Sequence, residues 1–256
     1  MEKSIETTLG TWTYSDIGEG EPLILLHGIF MNRHMWDQAT QTLQKTYRVI
    51  CIDGPSHGNS ESVARSWSLS DHALALEGFI GTLGLKKVHI AGHSWGGMVA
   101  MRLALRNPSM IQTLILCNTP LEESQSKLMF QVQGLFLIGK AGRRFFARQA
   151  AKALFDRDPK VTFSLEASLE NQDGRGLRQA IRAVLVEAKD FYSELKNLKM
   201  PVCYITGAKD YVCSDRIRKE LEDLGAEPFI VAGGHTSPLE QPQEVSEIIV
   251  RHIIQN

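Results

Sequence analysis

Ile90-Ala91-Gly92-His93-Ser94-Trp95-Gly96-Gly97 is the stretch from which the rest of the chain is read. Just before it, residues 88–91 form a short apolar run that predicts a buried strand. Just after it, residues 98–106 have helical periodicity and stop at Asn107-Pro108. Gly92, Ser94 and Gly96 satisfy the pattern G-x-S-x-G between that strand and that helix. A turn this tight holds its serine in a strained backbone conformation. Small residues two positions to either side let strand and helix approach. The hydroxyl of Ser94 is then pushed out at the carboxyl end of a strand. It faces the first N–H groups of a helix, which favour negative charge.

The chain has 256 residues, 43% hydrophobic and 22% charged, with a formal net charge of -1. That suits one soluble domain, or one domain with a sizeable insertion, and it offers no global basic field for nucleic acid or anionic lipid. No run approaches the roughly 18 apolar residues of a membrane span, and the first eight residues lack the apolar centre of a secretory signal. Cys51, Cys117, Cys203 and Cys213 are not spaced as a metal or redox pair, and three of them sit in apolar runs. The expectation is a reduced, cytoplasmic protein with no metal or other cofactor.

Outward from the elbow, short apolar runs alternate with amphipathic stretches. Residues 8–17 suggest an edge strand or hairpin, and residues 23–26 a strand covered on both faces. Residues 35–45 read as a helix and 47–52 as the next strand. The loop from Asp53 to Ser60 is dense in turn formers, and Ser70-Asp71 can open a helix over 72–83. Residues 111–116 are another buried strand. From about 121 to 198 only helical periodicity appears, over 128–138, 145–155 and 177–195. Strands return at 202–206 and 229–232, with helices at 215–224 and 242–254. This alternation predicts a mainly parallel sheet with right-handed crossovers.

A serine hydroxyl needs a base to take its proton, and the base needs an orienting group. In a parallel sheet these come from loops at the carboxyl ends of strands. Thr206-Gly207-Ala208-Lys209-Asp210 offers a carboxylate, and Gly233-Gly234-His235-Thr236 an imidazole. Asp210 could instead cap a helix, although Ser214 and Asp215 are better placed for that. Glu122 and Glu123, after the preceding strand, are the alternative acid. Of eight histidines, His235 alone follows the last strand after a Gly-Gly turn. His27, His57 and His93 read as packing groups.

Together these motifs resemble the α/β-hydrolase fold superfamily, with its chain order Ser…Asp…His. The resemblance rests on Gly92 to Gly97, His27-Gly28, the Asp53 loop, Gly207 to Asp210, and Gly234-His235 followed by Pro238-Leu239-Glu240-Gln241-Pro242. It implies an α/β fold: a mainly parallel eight-stranded sheet flanked by helices. Residues 1–120 and 199–256 would form the core, and 121–198 an inserted helical cap. It implies Ser94 as nucleophile, His235 as base and Asp210 as its orienting carboxylate. The backbone N–H groups of Ile29 and Trp95 would form an oxyanion hole, Phe30 being the weaker second donor. Ser56 departs from the family pattern, standing where relatives usually have glycine.

The apolar residues Leu128, Met129, Val132, Leu135, Phe136, Phe145 and Phe146 must cover something. Leu135, Phe136 and Phe145, with Phe30, are the expected substrate lining. Lys140, Arg143, Arg144, Arg148 and Lys152 read as a solvated face, with an anion-reading patch as the alternative. The expected activity is hydrolysis of a small-molecule ester or lactone through an acyl-enzyme. Serine at 94 speaks against the aspartate-nucleophile branches, haloalkane dehalogenases and epoxide hydrolases. Carbon–carbon hydrolases and lyases, prolyl aminopeptidases and ligand receptors of the same fold stay open, as does the oligomeric state.

Overall fold

The computed structural model describes residues 2–121, 139–154, 158–170, 172–187, 192–210, 219, 221 and 228–256. Eight strands form one sheet in the order β1-β2-β4-β3-β5-β6-β7-β8. They are β1 (Glu2–Thr7), β2 (Gly10–Ile17), β3 (Glu21–Leu26), β4 (Tyr47–Ile52), β5 (Val88–His93), β6 (Ile111–Cys117), β7 (Val202–Gly207) and β8 (Phe229–Val231). From β4 to β8 every neighbouring pair is parallel, and β2 alone runs the other way, pairing antiparallel with both β1 and β4. The mainly parallel sheet expected from the alternation of elements is therefore present, with an antiparallel hairpin at one edge.

Strand residues alternate between two cores because successive side chains leave opposite faces. Ile24, Leu26, Ile50, Ile52, Ile90, Leu114, Leu116 and Tyr204 lie on one face. Helices α2 (Leu69–Thr82) and α3 (Trp95–Arg106) cover it. Leu23, Leu25, Val49, Cys51, Ala91, Ile115, Cys203 and Ile205 lie on the other. That face is covered by α1 (Asp37–Leu43) and by the last helix, Pro242–Gln255. Double coverage explains why these strands read as continuous apolar runs. Cys51, Cys117 and Cys203 are buried free thiols, and burial pushes Cys51 up to about 11 and Cys203 to about 12. They act as small hydrophobes. Cys213 lies outside the described residues.

Two boundaries differ from the sequence reading, and Ser56 shows how its departure from glycine is accommodated. The polar segment Glu2–Thr7 is a strand, paired from Glu2↔Ser15 to Thr7↔Gly10. As an edge strand it is largely exposed, so it carries no apolar alternation. Helix α2 begins at Leu69, not His72. Ser68 is its N-cap and forms a reciprocal capping box with Asp71, which lets Leu69 bury fully. Ser56 adopts the left-handed region (φ 67°) that glycine would occupy freely, and its Oγ accepts from Val63 N at 2.9 Å.

Between β6 and β7 the described elements are all helical: α4 (Lys140–Leu154), α5 (Pro159–Glu170), α6 (Gly174–Glu187) and the short α7 (Tyr192–Leu195). Helix α5 was not expected. Its signals are local: Asp158 accepts from Lys160 N and Val161 N, and Pro159 opens the first turn. Its buried face, Val161, Leu165 and Leu169, has i, i+4, i+8 spacing. The expected helices over 128–138 and 215–224 lie outside the described residues, apart from Lys219 and Leu221, which are helical. Among the described residues no helix is long and apolar enough to cross a membrane.

His72 is a buried anomaly. Its ring sits among Trp95 (4.8 Å), Trp12 (5.1 Å) and Trp67 (5.9 Å), and neither ring nitrogen has a hydrogen-bond partner. Burial pushes its pKa well below the usual imidazole value. Once unfolded, the same imidazole binds a proton below about pH 6.5. The unfolded state therefore holds more protons in this range, and stability falls as pH drops, by about 1.4 kcal/mol per pH unit for each such histidine. His72→Phe keeps the aromatic contacts and deletes the unpartnered nitrogens. It should stabilise the protein against urea, by about 2 kcal/mol more at pH 5 than at pH 8. Equal gains at both pH values would show that His72 is not held neutral.

Candidate active site

The sheet changes direction of winding at β3, which has β4 on one side and β5 on the other. In such sheets the crevice beyond the strand ends at this point is where ligands bind. The loops that follow β3 and β5 carry Ile29–Phe30 and Ser94. Ser94 itself has φ 50° and ψ -114°, the strained conformation expected of the elbow. A Cβ on Gly92 would collide with the backbone of Gly96 and Gly97, so only glycine permits this approach of strand and helix. Trp95 is the first residue of α3, where backbone N–H groups have no partner within the helix.

Ser94, Asp210 and His235 lie far apart in the chain and meet here. His235 Nε2 is 3.0 Å from Ser94 Oγ, and His235 Nδ1 is 3.0 Å from Asp210 Oδ1. All three residues are buried. A carboxylate can only accept, so Nδ1–H donates to Asp210 and Nε2 is left to accept from the Ser94 hydroxyl. Two turns bring acid and base together: Ala208 N donates to Val231 O and Lys209 N to Gly233 O, both at 2.8 Å. Gly207 sits so close to the Gly234 carbonyl that any side chain there would part the loops.

The loop bearing His235 is held by side chains on either side. Gly234 N donates to Glu240 Oε2 at 2.7 Å, and Asn118 Nδ2 donates to Gly234 O at 3.1 Å. His93 Nε2–H donates to His235 O at 2.6 Å. Asn118 also reaches the carboxylate, with Nδ2 2.7 Å from Asp210 Oδ2. Neither Asn118 nor this use of His93 was foreseen in the sequence. Asn118 reads there as a strand terminator before Thr119-Pro120.

The packing roles read for the other histidines hold. Gly54 N donates to His27 Nε2 at 2.9 Å, so His27 Nδ1–H donates to Gly28 O at 2.7 Å. Phe30 N donates to His57 Nε2 at 3.2 Å, and His57 Nδ1–H donates to Pro55 O at 2.9 Å. Burial lowers His27 to about 4, and His57 and His93 to about 3. All three are therefore neutral scaffolding at ordinary pH. His57 thus takes the Phe30 N–H.

Phe30 has a left-handed backbone (φ 69°), and its ring meets Phe146 edge-on at 4.9 Å. Phe146, not Phe145, is the α4 aromatic that reaches this loop. Phe145 is 55% exposed. The face of α4 explains it: Arg143, Phe146, Ala147 and Ala150 turn inward at helical spacing, and Phe145 falls outside that stripe. Leu135 and Phe136 lie outside the described residues, as do Glu122 and Glu123. Arg143 does not face the crevice as a cation. It is buried, with Nε donating to Leu169 O at 2.9 Å and a terminal nitrogen to Glu170 O at 3.2 Å, which closes the end of α5. Arg144 and Arg148 pair with Glu170 and Glu166 on the exposed surface.

Residues 23–248 match the family model described as the alpha/beta hydrolase family. The chain belongs to that family. Among its alpha/beta hydrolase relatives is an (E)-2-((N-methylformamido)methylene)succinate hydrolase of Acinetobacter baylyi, 26% identical over 77% of this chain and 75% of that protein. A 2-hydroxy-6-oxononadienedioate/2-hydroxy-6-oxononatrienedioate hydrolase of Burkholderia vietnamiensis is 28% identical over 77% of this chain and 74% of the other. Among solved structures, the enol-lactonase of Burkholderia xenovorans superposes with a TM-score of 0.88 at 21% identity, covering 98% of this chain and 100% of that one. That likeness shows the alpha/beta hydrolase fold.

Proposed function

We propose that this alpha/beta hydrolase is a serine hydrolase that cleaves small carboxylic esters or lactones through an acyl-enzyme on Ser94. The observation that carries the proposal is the continuous hydrogen-bonded line from Asp210 through His235 to Ser94. His235 Nε2 takes the hydroxyl proton as Ser94 Oγ attacks the carbonyl carbon. The oxyanion forms against the N–H groups of Trp95 and Ile29. One such donor is worth about 10²–10³ in rate. His235 then passes its proton to the leaving alkoxide, which departs as an alcohol or, in a lactone, stays on the acyl chain as a hydroxyl group. Water, deprotonated by the same imidazole, releases the acid. Asp210 holds the tautomer and balances the charge on the imidazolium.

Residues 121–198 act in this proposal as a cap, and a substrate enters between it and the Ile29–Phe30 loop. The Phe30–Phe146 pair makes that entrance apolar, and Arg143 is spent on α5 carbonyls. These features favour an uncharged acyl or alcohol group of limited length. Each methylene buried adds at most about 0.8 kcal/mol, about fourfold in kcat/KM. The rate for p-nitrophenyl esters should therefore climb from acetate to a short or medium chain and then fall. The test is a panel of alkyl and aryl esters, lactones, aminoacyl amides and dicarboxylates with purified protein.

A second reading draws on the names of the two relatives above, which specify a succinate and dioates. It predicts turnover of dianionic substrates alone, with none of the uncharged esters in the panel cleaved. A steady climb to palmitate on emulsions contradicts both readings. A ligand-induced rise in melting temperature with no turnover of any substrate points to a receptor.

A further inference from the structure

We infer that Asn118 is a positioning residue for the reaction, locking the acid and the base to each other through one amide. This rests on the roles proposed for Asp210 and His235. Asn118 follows β6 directly, is fully buried and has a left-handed backbone (φ 48°), which asparagine tolerates better than most residues. Its backbone N–H donates to Ile205 O at 2.7 Å, which ties it to β7. Its side-chain amide is fully used. Nδ2 donates to Asp210 Oδ2 at 2.7 Å and to Gly234 O at 3.1 Å. Oδ1 accepts from Ser237 N at 3.3 Å and from the Ser237 hydroxyl. Two donors and two acceptor sites thus meet four partners.

The consequence for the reaction is geometric. Asp210 has one oxygen on His235 and the other on Asn118, so the plane of its carboxylate is fixed from both sides. The second amide proton fixes the carbonyl of Gly234, the residue before His235. Glu240 and His93 hold neighbouring backbone groups, but in the hydrogen bonds above neither touches the carboxylate. An aspartate at 118 would set a second acceptor against Asp210, and an alanine or leucine would take one donor away from each of two buried acceptors, Asp210 Oδ2 and Gly234 O. Asn118 touches none of the reacting atoms, so its loss should slow the chemistry and leave substrate affinity alone.

The test is a double-mutant cycle on p-nitrophenyl acetate using Asn118→Ala, Asp210→Asn and the double variant, with Asn118→Leu as an equal-sized apolar control. Asn118→Ala should lower kcat about 10²-fold, the scale of a misplacement near 1 Å, with KM within about twofold of wild type. Asn118→Leu should be as slow, because the lost feature is donation and not volume. In the Asp210→Asn background the alanine change should cost under about threefold, since the group through which it acts is already gone. Additive losses, or a near-normal Asn118→Leu, would assign Asn118 to packing alone. Failure of both variants to fold, read by circular dichroism, would do the same. Should Asp210→Asn itself keep the wild-type rate, the proposed roles of Asp210 and His235 fail, and this inference with them. Should Asp210→Asn be slow and Asn118→Ala fast, only the inference about Asn118 fails.

Discussion

Ser94→Ala is expected to fold like the wild type and to lose ester turnover by about 10⁶ in kcat. The side chain is small, buried at the elbow, and touches His235 through one hydrogen bond. Removing its oxygen leaves the backbone strain to the same flanking glycines and leaves both N–H donors in place. What survives should be only the contribution of binding and the oxyanion hole, at most roughly 10³–10⁴ over water. The measurement is kcat on p-nitrophenyl acetate, with thermal unfolding as the control for folding. A variant with more than a few per cent of the wild-type rate would remove Ser94 from the mechanism.

Asp210→Asn should cost on the order of 10⁴ in kcat, as a held wrong tautomer does in the best-studied triad. The site explains why. Asn118 donates to Oδ2, so the carbonyl oxygen of an asparagine at 210 must face Asn118. Its amide nitrogen then faces His235 Nδ1, which can only accept from it. The imidazole is left with its proton on Nε2, pointing at Ser94, and cannot act as a base. A near-normal Asp210→Asn together with a dead Glu122→Gln would move the acid to the segment after β6.

Much of this site is legible in the sequence. Ser94, Asp210 and His235 each follow a short apolar strand with a glycine within three positions, and that local signature is strong because tight turns leave few alternatives. The sheet was legible for a related reason: strands covered on both faces become continuous apolar runs. Edge strand Glu2–Thr7 escaped because an exposed edge imposes no apolar pattern. Helix α5 was overlooked despite Asp158-Pro159 at its start and a regular buried stripe. Phe145 was preferred to Phe146 because composition does not say which face of α4 turns inward. That is set by Arg143, whose partners are carbonyls at the end of another helix. Asn118 shows the limit most clearly. Its function lies in hydrogen bonds to residues 92 and 116 positions away, and nothing local to Asn118-Thr119-Pro120 encodes them.

The most direct test of the central claim is covalent. Wild-type protein treated with a fluorophosphonate should gain one equivalent of the phosphonyl mass, located on Ser94 by peptide mapping, and lose ester turnover in proportion. Ser94→Ala should take up none. Label on another serine, or full turnover by protein labelled at Ser94, would contradict the account.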